Sequence, residues 1–171
     1  MRSNELQNDE YAAWYAPYIA KLENVDLLEE LEISIHDFIR FVQNVPMEKH
    51  GYRYAEGKWT LKEIIQHLID AERIFSYRAL RIARNDKTPL PGFEENDYAA
   101  TVDAESRNLQ ELLTEFATVR QSTVMLFKSF KSEELLRIGT ASNNIVSTRA
   151  IGFITIGHLK HHQMVFQERY L

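Results

Sequence analysis

The stretch Thr60–Asp86, TLKEIIQHLIDAERIFSYRALRIARND, decides the fold. Its apolar residues Leu61, Ile64, Ile65, Leu68, Ala71, Phe75, Ala79 and Ile82 recur every three or four positions, which places them on one face of a helix. Thr60 and Glu63 have the spacing of a capping box, in which the hydroxyl accepts from an early backbone N–H and the carboxylate reaches back to the cap. The helix dissolves at Asn85-Asp86, ahead of Pro89 and Pro91. A run of that length makes about 37 Å of helix.

The same periodicity extends on both sides. Leu28, Leu31, Ile35, Phe38 and Val42 predict a helix from about Val25 to Asn44, with a short helix before it near Glu10 to Leu22, interrupted by Pro17. Leu109, Leu112, Leu113, Phe116, Val119, Val124, Leu126 and Phe127 predict a third long helix from about Asp103 to Phe130. A loop containing Gly139 to Val146 ends it, and a fourth helix starts at Ser147, a suitable N-cap, and runs to the C-terminus. No sustained period-2 alternation announces a sheet. The fold class is therefore all-α, a four-helix bundle with a short extra N-terminal helix and a single domain over residues 1–171. The segment Asn85–Val102 is long enough to carry the chain back along the whole bundle. The second and third helices then run parallel and the topology is up-down-down-up.

A chain of 171 residues, 44% hydrophobic and 26% charged, buries a substantial core. Its net charge is −5, and its basic residues are scattered among acids, so no footprint for phosphate backbones exists and nucleic acid is not an expected partner. With no cysteine the protein forms no disulfide and supplies no thiol nucleophile of its own. The N-terminal residues lack the pattern of a signal peptide, and no apolar run is long enough to span a bilayer. The expectation is a cytoplasmic protein that does not bind membranes.

Chemistry concentrates in the last helix. Gly157-His158-Leu159-Lys160-His161-His162 holds half of the six histidines. His158 and His162, four apart, project side by side and can offer two ring nitrogens to one divalent ion. His161, three from His158, is an alternative ligand that spacing alone leaves open. A solvated helix end with one core histidine would produce the same pair, so a third ligand is needed. His67 supplies it: it lies beside the apolar stripe of its helix, about 10 Å from the helix start, while His158 and His162 lie within about 20 Å of the end of theirs. Antiparallel pairing of the two helices brings all three to one level. Three imidazoles with open positions suit a catalytic Zn, Ni or Fe site that polarises a substrate oxygen or acidifies a bound water or thiol.

Glu63, Asp70 and Glu168 are candidates for orienting the rings. Asp70 and Glu72 are candidates for a general base, and Tyr77, Arg78 and Tyr98 for the approach to the site. His36 and His50 need no role. Trp14, Tyr15, Phe127 and Phe130 belong either to the core or to a dimer surface.

The run KWTLKEIIQHLIDAERIFSYRALRIARNDKTPLPGFEENDY, with the closing GHLKHHQMVFQERYL, resembles the DinB-like superfamily of metal-binding four-helix bundles, which includes bacillithiol transferases and mycothiol-dependent maleylpyruvate isomerases. The family's tryptophan and hydroxyl residue at the start of helix two fall on Trp59-Thr60, its helix-two histidine on His67 and its terminal His-x-x-x-His on His158 and His162. The resemblance thereby selects His162 over His161. It implies an up-down-down-up bundle, a divalent ion on three histidines, homodimers, and transfer of a low-molecular-weight thiol to a small-molecule substrate. A metal-dependent hydrolase and a non-catalytic metal-binding stress-response protein are the alternatives. Asp70-Ala71-Glu72-Arg73, Arg78-Ala79-Leu80 and Leu90-Pro91-Gly92-Phe93 look like marks of one branch of that family.

Overall fold

The computed structural model describes all 171 residues. A 3-10 turn at Ala13–Tyr15 leads into the short helix α1 (Ala16–Ile19), followed by α2 (Leu27–Gln43), α3 (Leu61–Ala83), α4 (Glu95–Thr101), α5 (Leu109–Lys128), α6 (Ser132–Leu135), the hairpin β1 (Ile138–Ala141) and β2 (Asn144–Ser147), and α7 (Thr148–Arg169). The long helices start where side chains satisfy their free N–H groups. The Asp26 carboxylate accepts from Leu28 N and Glu29 N at 3.1 and 3.3 Å, and the Asn108 side chain from Gln110 N at 2.8 Å. Thr60 and Glu63 form the expected capping box, and Ser147 Oγ accepts from Ala150 N at 3.0 Å.

Helices α2, α3, α5 and α7 form the bundle, in the expected up-down-down-up order. Pairs of contacts fix each direction. Arg73 with Glu115 and Ser76 with Thr123 advance together along α3 and α5, which are parallel. Glu30 with Lys160 and Phe41 with Phe166 do the same for α2 and α7. The Tyr170 hydroxyl donates to Trp59 O, so the end of α7 lies at the start of α3 and these two are antiparallel. No helix is long and apolar enough to cross a membrane.

Four local readings change. The third long helix starts at Leu109 instead of Asp103, because Asp103 uses its carboxylate to accept from Ser106 N in a turn and Asn108 provides the cap. The N-terminal helix is shorter than Glu10–Leu22: Pro17 sits in its first turn, where a missing N–H costs nothing, and Glu10 is buried in a bond to Arg149 Nε at 2.7 Å. The long connector contains α4. The segment expected as loop is a hairpin whose two-residue tip, Ser142-Asn143, has φ of 51° and 62°, the primed-turn geometry that suits the twist of paired strands. Phe127, Phe130 and Tyr15 are core residues, whereas Trp14 is exposed.

The interior divides into two apolar groups. One gathers Leu27, Leu31, Phe75, Phe127 and Phe153; the other gathers Phe38, Leu61, Ile65, Phe116 and Phe166. Polar side chains lie between them. Arg120, 1% exposed, donates from Nε to Glu72 Oε1 at 2.7 Å and from Nη1 to Ser34 Oγ, tying α5 to α3 and α2. Breaking such a pair from one side strands a buried charge, whereas replacing both partners by apolar groups does not. Glu72→Ala is therefore expected to lower the unfolding free energy by about 3–5 kcal/mol, and Glu72→Met with Arg120→Met to recover most of that loss, both read from denaturant unfolding.

Candidate metal centre

Helix α7 carries buried residues without interruption from Thr148 to Leu159, so it runs through the bundle interior instead of lying on its surface. That is why its apolar stripe could not separate His161 from His162. Two glycines allow the close approach. A Cβ on Gly152 would overlap Leu27 and Phe127, and one on Gly157 would overlap the Tyr18 carbonyl, which crosses α7 at that point. The N-terminal segment is thereby seated against His158.

The antiparallel α3 and α7 bring His67, His158 and His162 together. The Nε2 atoms of His67 and His162 stand 3.0 and 3.1 Å from Nε2 of His158, and the three donor atoms all lie within 4.8 Å of one another. The ring planes meet at 74°, 67° and 88°. A ring nitrogen has one in-plane site, holding either a proton or a lone pair, so His158 Nε2 can satisfy only one of its two contacts as a hydrogen bond. A cation accepting a lone pair from each ring satisfies all of them. Nitrogens about 2.1 Å from one ion are separated by about 3.0 Å at a right angle and about 3.4 Å at the tetrahedral angle, so the two contacts made by His158 have the spacing of nitrogens that share an ion.

Electrostatics point the same way. Burial pushes His67 down to about 4, and burial together with the neighbouring rings holds His158 and His162 well below the ordinary histidine range. All three are neutral near pH 7 and keep a lone pair free. Aromatic rings fix their orientation. Tyr18 and Phe75 meet His158 edge-on with centroids at 5.5 and 5.8 Å, and Trp59 packs on His67 at 4.8 Å and stacks on His162 at 6.4 Å.

The three rings line a cavity of about 290 Å³, walled by Trp14, Tyr15, Tyr18, Phe75 and Phe93 and bearing Arg78, Glu95 and Ser142 as further polar groups. His161 stands at its edge, against Tyr18 at 5.3 Å, outside the group of converging nitrogens. The carboxylates expected to orient the rings do not bond to them. Glu63 is taken by Arg53 at 2.6 and 2.9 Å, Asp70 accepts from Gln66 at 3.0 Å, and Glu168 makes no hydrogen bond to a ring. Of the two expected bases, Glu72 is buried against Arg120 and Asp70 opens on a separate, narrower cavity. Tyr77 is exposed and bonded to Arg81, and Tyr98 packs on Phe93 outside the cavity, so Arg78 alone of the three approach residues lines it. His36 is exposed, and a ring nitrogen of His50 lies 3.1 Å from Val45 O. The place of Tyr15, Tyr18, Phe93, Glu95 and Ser142 in the cavity was not anticipated, since each arrives from a connector or from the N-terminal segment.

Known proteins resemble this chain. A protein of Geobacillus thermodenitrificans named "Putative metal-dependent hydrolase" is 26% identical over 111 residues, 64% of this chain and 62% of its own length. One of the same description from Oceanobacillus iheyensis is 25% identical over 77 residues, 44% of each chain. The chain thus spans less than two thirds of either curated relative. Among solved structures, that of YfiT from Bacillus subtilis, described as "a probable metal-dependent hydrolase with an unusual four-helix bundle topology", superposes with a TM-score of 0.72 at 14% identity, over 86% of this chain and 89% of that one. It attests the fold. The family model of the DinB superfamily matches residues 30–165, a span that takes in α3, α5, most of α7 and all three converging histidines, and the chain belongs to that superfamily.

Proposed function

We propose that His67, His158 and His162 bind one divalent cation and that the protein is a metal-dependent enzyme acting on a small molecule in the adjoining cavity. The convergence of three neutral imidazole nitrogens that cannot all be hydrogen-bonded to one another carries this reading. Such a cation would polarise a substrate oxygen and acidify a water or thiol in its open positions. Zn, Ni and Fe all suit nitrogen donors.

Hydrolysis is the favoured reaction, ahead of the thiol transfer that the sequence resemblance put first. Both curated relatives bear the name of metal-dependent hydrolases, and the cavity holds a carboxylate, Glu95, able to take a proton from an attacking water. Glu95 lies near enough to Tyr18 for its charge to help burial raise the Tyr18 hydroxyl above the ordinary tyrosine range. Tyr18 therefore stays protonated and can donate to a substrate oxygen. The aromatic walls leave room for a small substrate with an apolar body. Thiol transfer remains the second reading because a cation-bound thiol needs no base to become a nucleophile.

Metal analysis of tag-free protein is expected to give one equivalent of a divalent ion per chain, with loss in His67→Ala and in His158→Ala. Stoichiometric metal in both variants would remove the site. Turnover of simple esters and amides without added thiol supports hydrolysis, and Glu95→Gln should then lower kcat by about a hundredfold, a typical contribution of general base catalysis. Turnover only with a thiol cosubstrate supports transfer, and a metal-dependent rise in Tm with no turnover under either condition supports a purely binding role.

Proton and cation compete for the same nitrogens. The folded-state values of these histidines lie below the unfolded ones, so between about pH 6.5 and about 4 the unfolded chain binds more protons and stability rises with pH. Metal-free protein is therefore expected to hold its full Tm above pH 6.5 and to lose stability as the pH falls toward 4. His158→Phe, which replaces the central ring with an apolar one of similar shape, should flatten that slope.

A further inference from the structure

Three arginines are buried in this protein: Arg78, Arg120 and Arg149, at 3%, 1% and 8% exposure. Two have a carboxylate partner. Arg120 pairs with Glu72 and Arg149 with Glu10. Arg78 has none within 4 Å, and of the three it alone lines the histidine cavity. A buried guanidinium without a counter-charge is costly, and such sites persist where a ligand provides the missing anion.

The surroundings hold this cation in place without neutralising it. One terminal nitrogen of Arg78 donates to Pro91 O at 2.8 Å and to Ser142 Oγ at 2.9 Å, which leaves Nε and the other terminal nitrogen free of any backbone or carboxylate acceptor. The nearby Tyr15 hydroxyl interacts with the guanidinium, but burial raises Tyr15 to about 12, so it stays uncharged. Phe93 packs against the guanidinium with its ring centre 5.8 Å away. Ser142 reaches Arg78 from the hairpin tip, at a φ of 51° that serine rarely adopts. The tip in turn is bonded to the connector: Leu90 N donates to Thr140 O at 2.9 Å and Ser142 N to Leu90 O at 3.0 Å. Arg78 and the Leu90–Phe93 segment, which stood out separately in the sequence, thus belong to one assembly.

Position completes the picture. His67, Ala71 and Arg78 share a face of α3, and the arginine lies eleven positions after the histidine, about 16 Å along the axis. Side chains lean toward the helix N-terminus, which carries the guanidinium toward the histidines. We propose that Arg78, held by Pro91 O and Ser142, is the specificity-determining residue of the cavity and receives the carboxylate of a small organic acid whose other end reaches the three histidines. The inference rests on the metal-centre reading only for the place of that reacting end.

The probes are benzoate and its neutral analogue benzamide, titrated by calorimetry into protein with metal and into chelator-treated protein. Benzoate is expected to bind at least about tenfold more tightly than benzamide in both forms, the margin of a charge-assisted hydrogen bond from a buried guanidinium. Arg78→Met should abolish the preference and Arg78→Lys should keep part of it. Equal affinity for the two probes, or binding of neither, would overturn the proposal. So would a preference that vanishes with chelation and survives in Arg78→Met, since the carboxylate would then be held by the cation. Because the metal-free arm needs no ion, a failure of the histidine site leaves this outcome readable. The comparison of the two probes on unaltered protein needs no variant to fold.

Discussion

Three neutral ring nitrogens gathered within 4.8 Å of one another, on two helices running in opposite directions, set the terms for the rest of this molecule. The arrangement has no solution as a set of hydrogen bonds among neutral rings, since the central nitrogen of His158 meets two partners with one in-plane site. Burial removes the protonated alternative by holding all three rings neutral. The proposed cation would resolve both, and the rings of Tyr18, Trp59 and Phe75 hold the three imidazoles in place for it.

Topology makes this possible. The long connector lets α3 and α5 run parallel, which frees α7 to return antiparallel along α3 and bring its histidines to the level of His67. The same crossing puts Arg120 of α5 beside Glu72, so the layer between the two apolar groups carries an ion pair on one side and the imidazoles on the other. The two polar features are coupled: the Arg120 charge helps hold His158 in its neutral form. Glycines at 152 and 157 set how closely α7 can be approached. Side chains there would push away Leu27, Phe127 and the Tyr18 carbonyl, and with them one wall of the cavity.

Much of this was legible in the residues. The Thr60–Glu63 capping box located the start of α3, Ser147 the start of α7, and the spacing of His158 and His162 together with the level of His67 anticipated the convergence. These signals are local, or depend only on helix rise and direction. The cavity walls were not legible, because they come from segments whose placement depends on tertiary contacts: the N-terminal turn bearing Tyr15 and Tyr18, the connector bearing Phe93 and Glu95, and the tip bearing Ser142. The hairpin hid for a specific reason. Its tip is Ser-Asn, without the glycine that normally advertises a primed turn, and it is held by the Leu90 backbone. The expected roles of Asp70 and Glu63 failed because spacing along one helix says which side chains are near a histidine but not which partner each has already taken; Arg53 and Gln66 had taken these.

X-ray absorption at the metal edge, on protein loaded with one equivalent of Zn, reads the coordination of the ion itself. Coordination by His67, His158 and His162 gives the outer-shell pattern of imidazole rings with an amplitude for three histidines, metal–nitrogen distances of about 2.0–2.1 Å, and lighter scatterers filling the remaining positions. A spectrum with one imidazole or none, or one unchanged by His158→Ala, would contradict it.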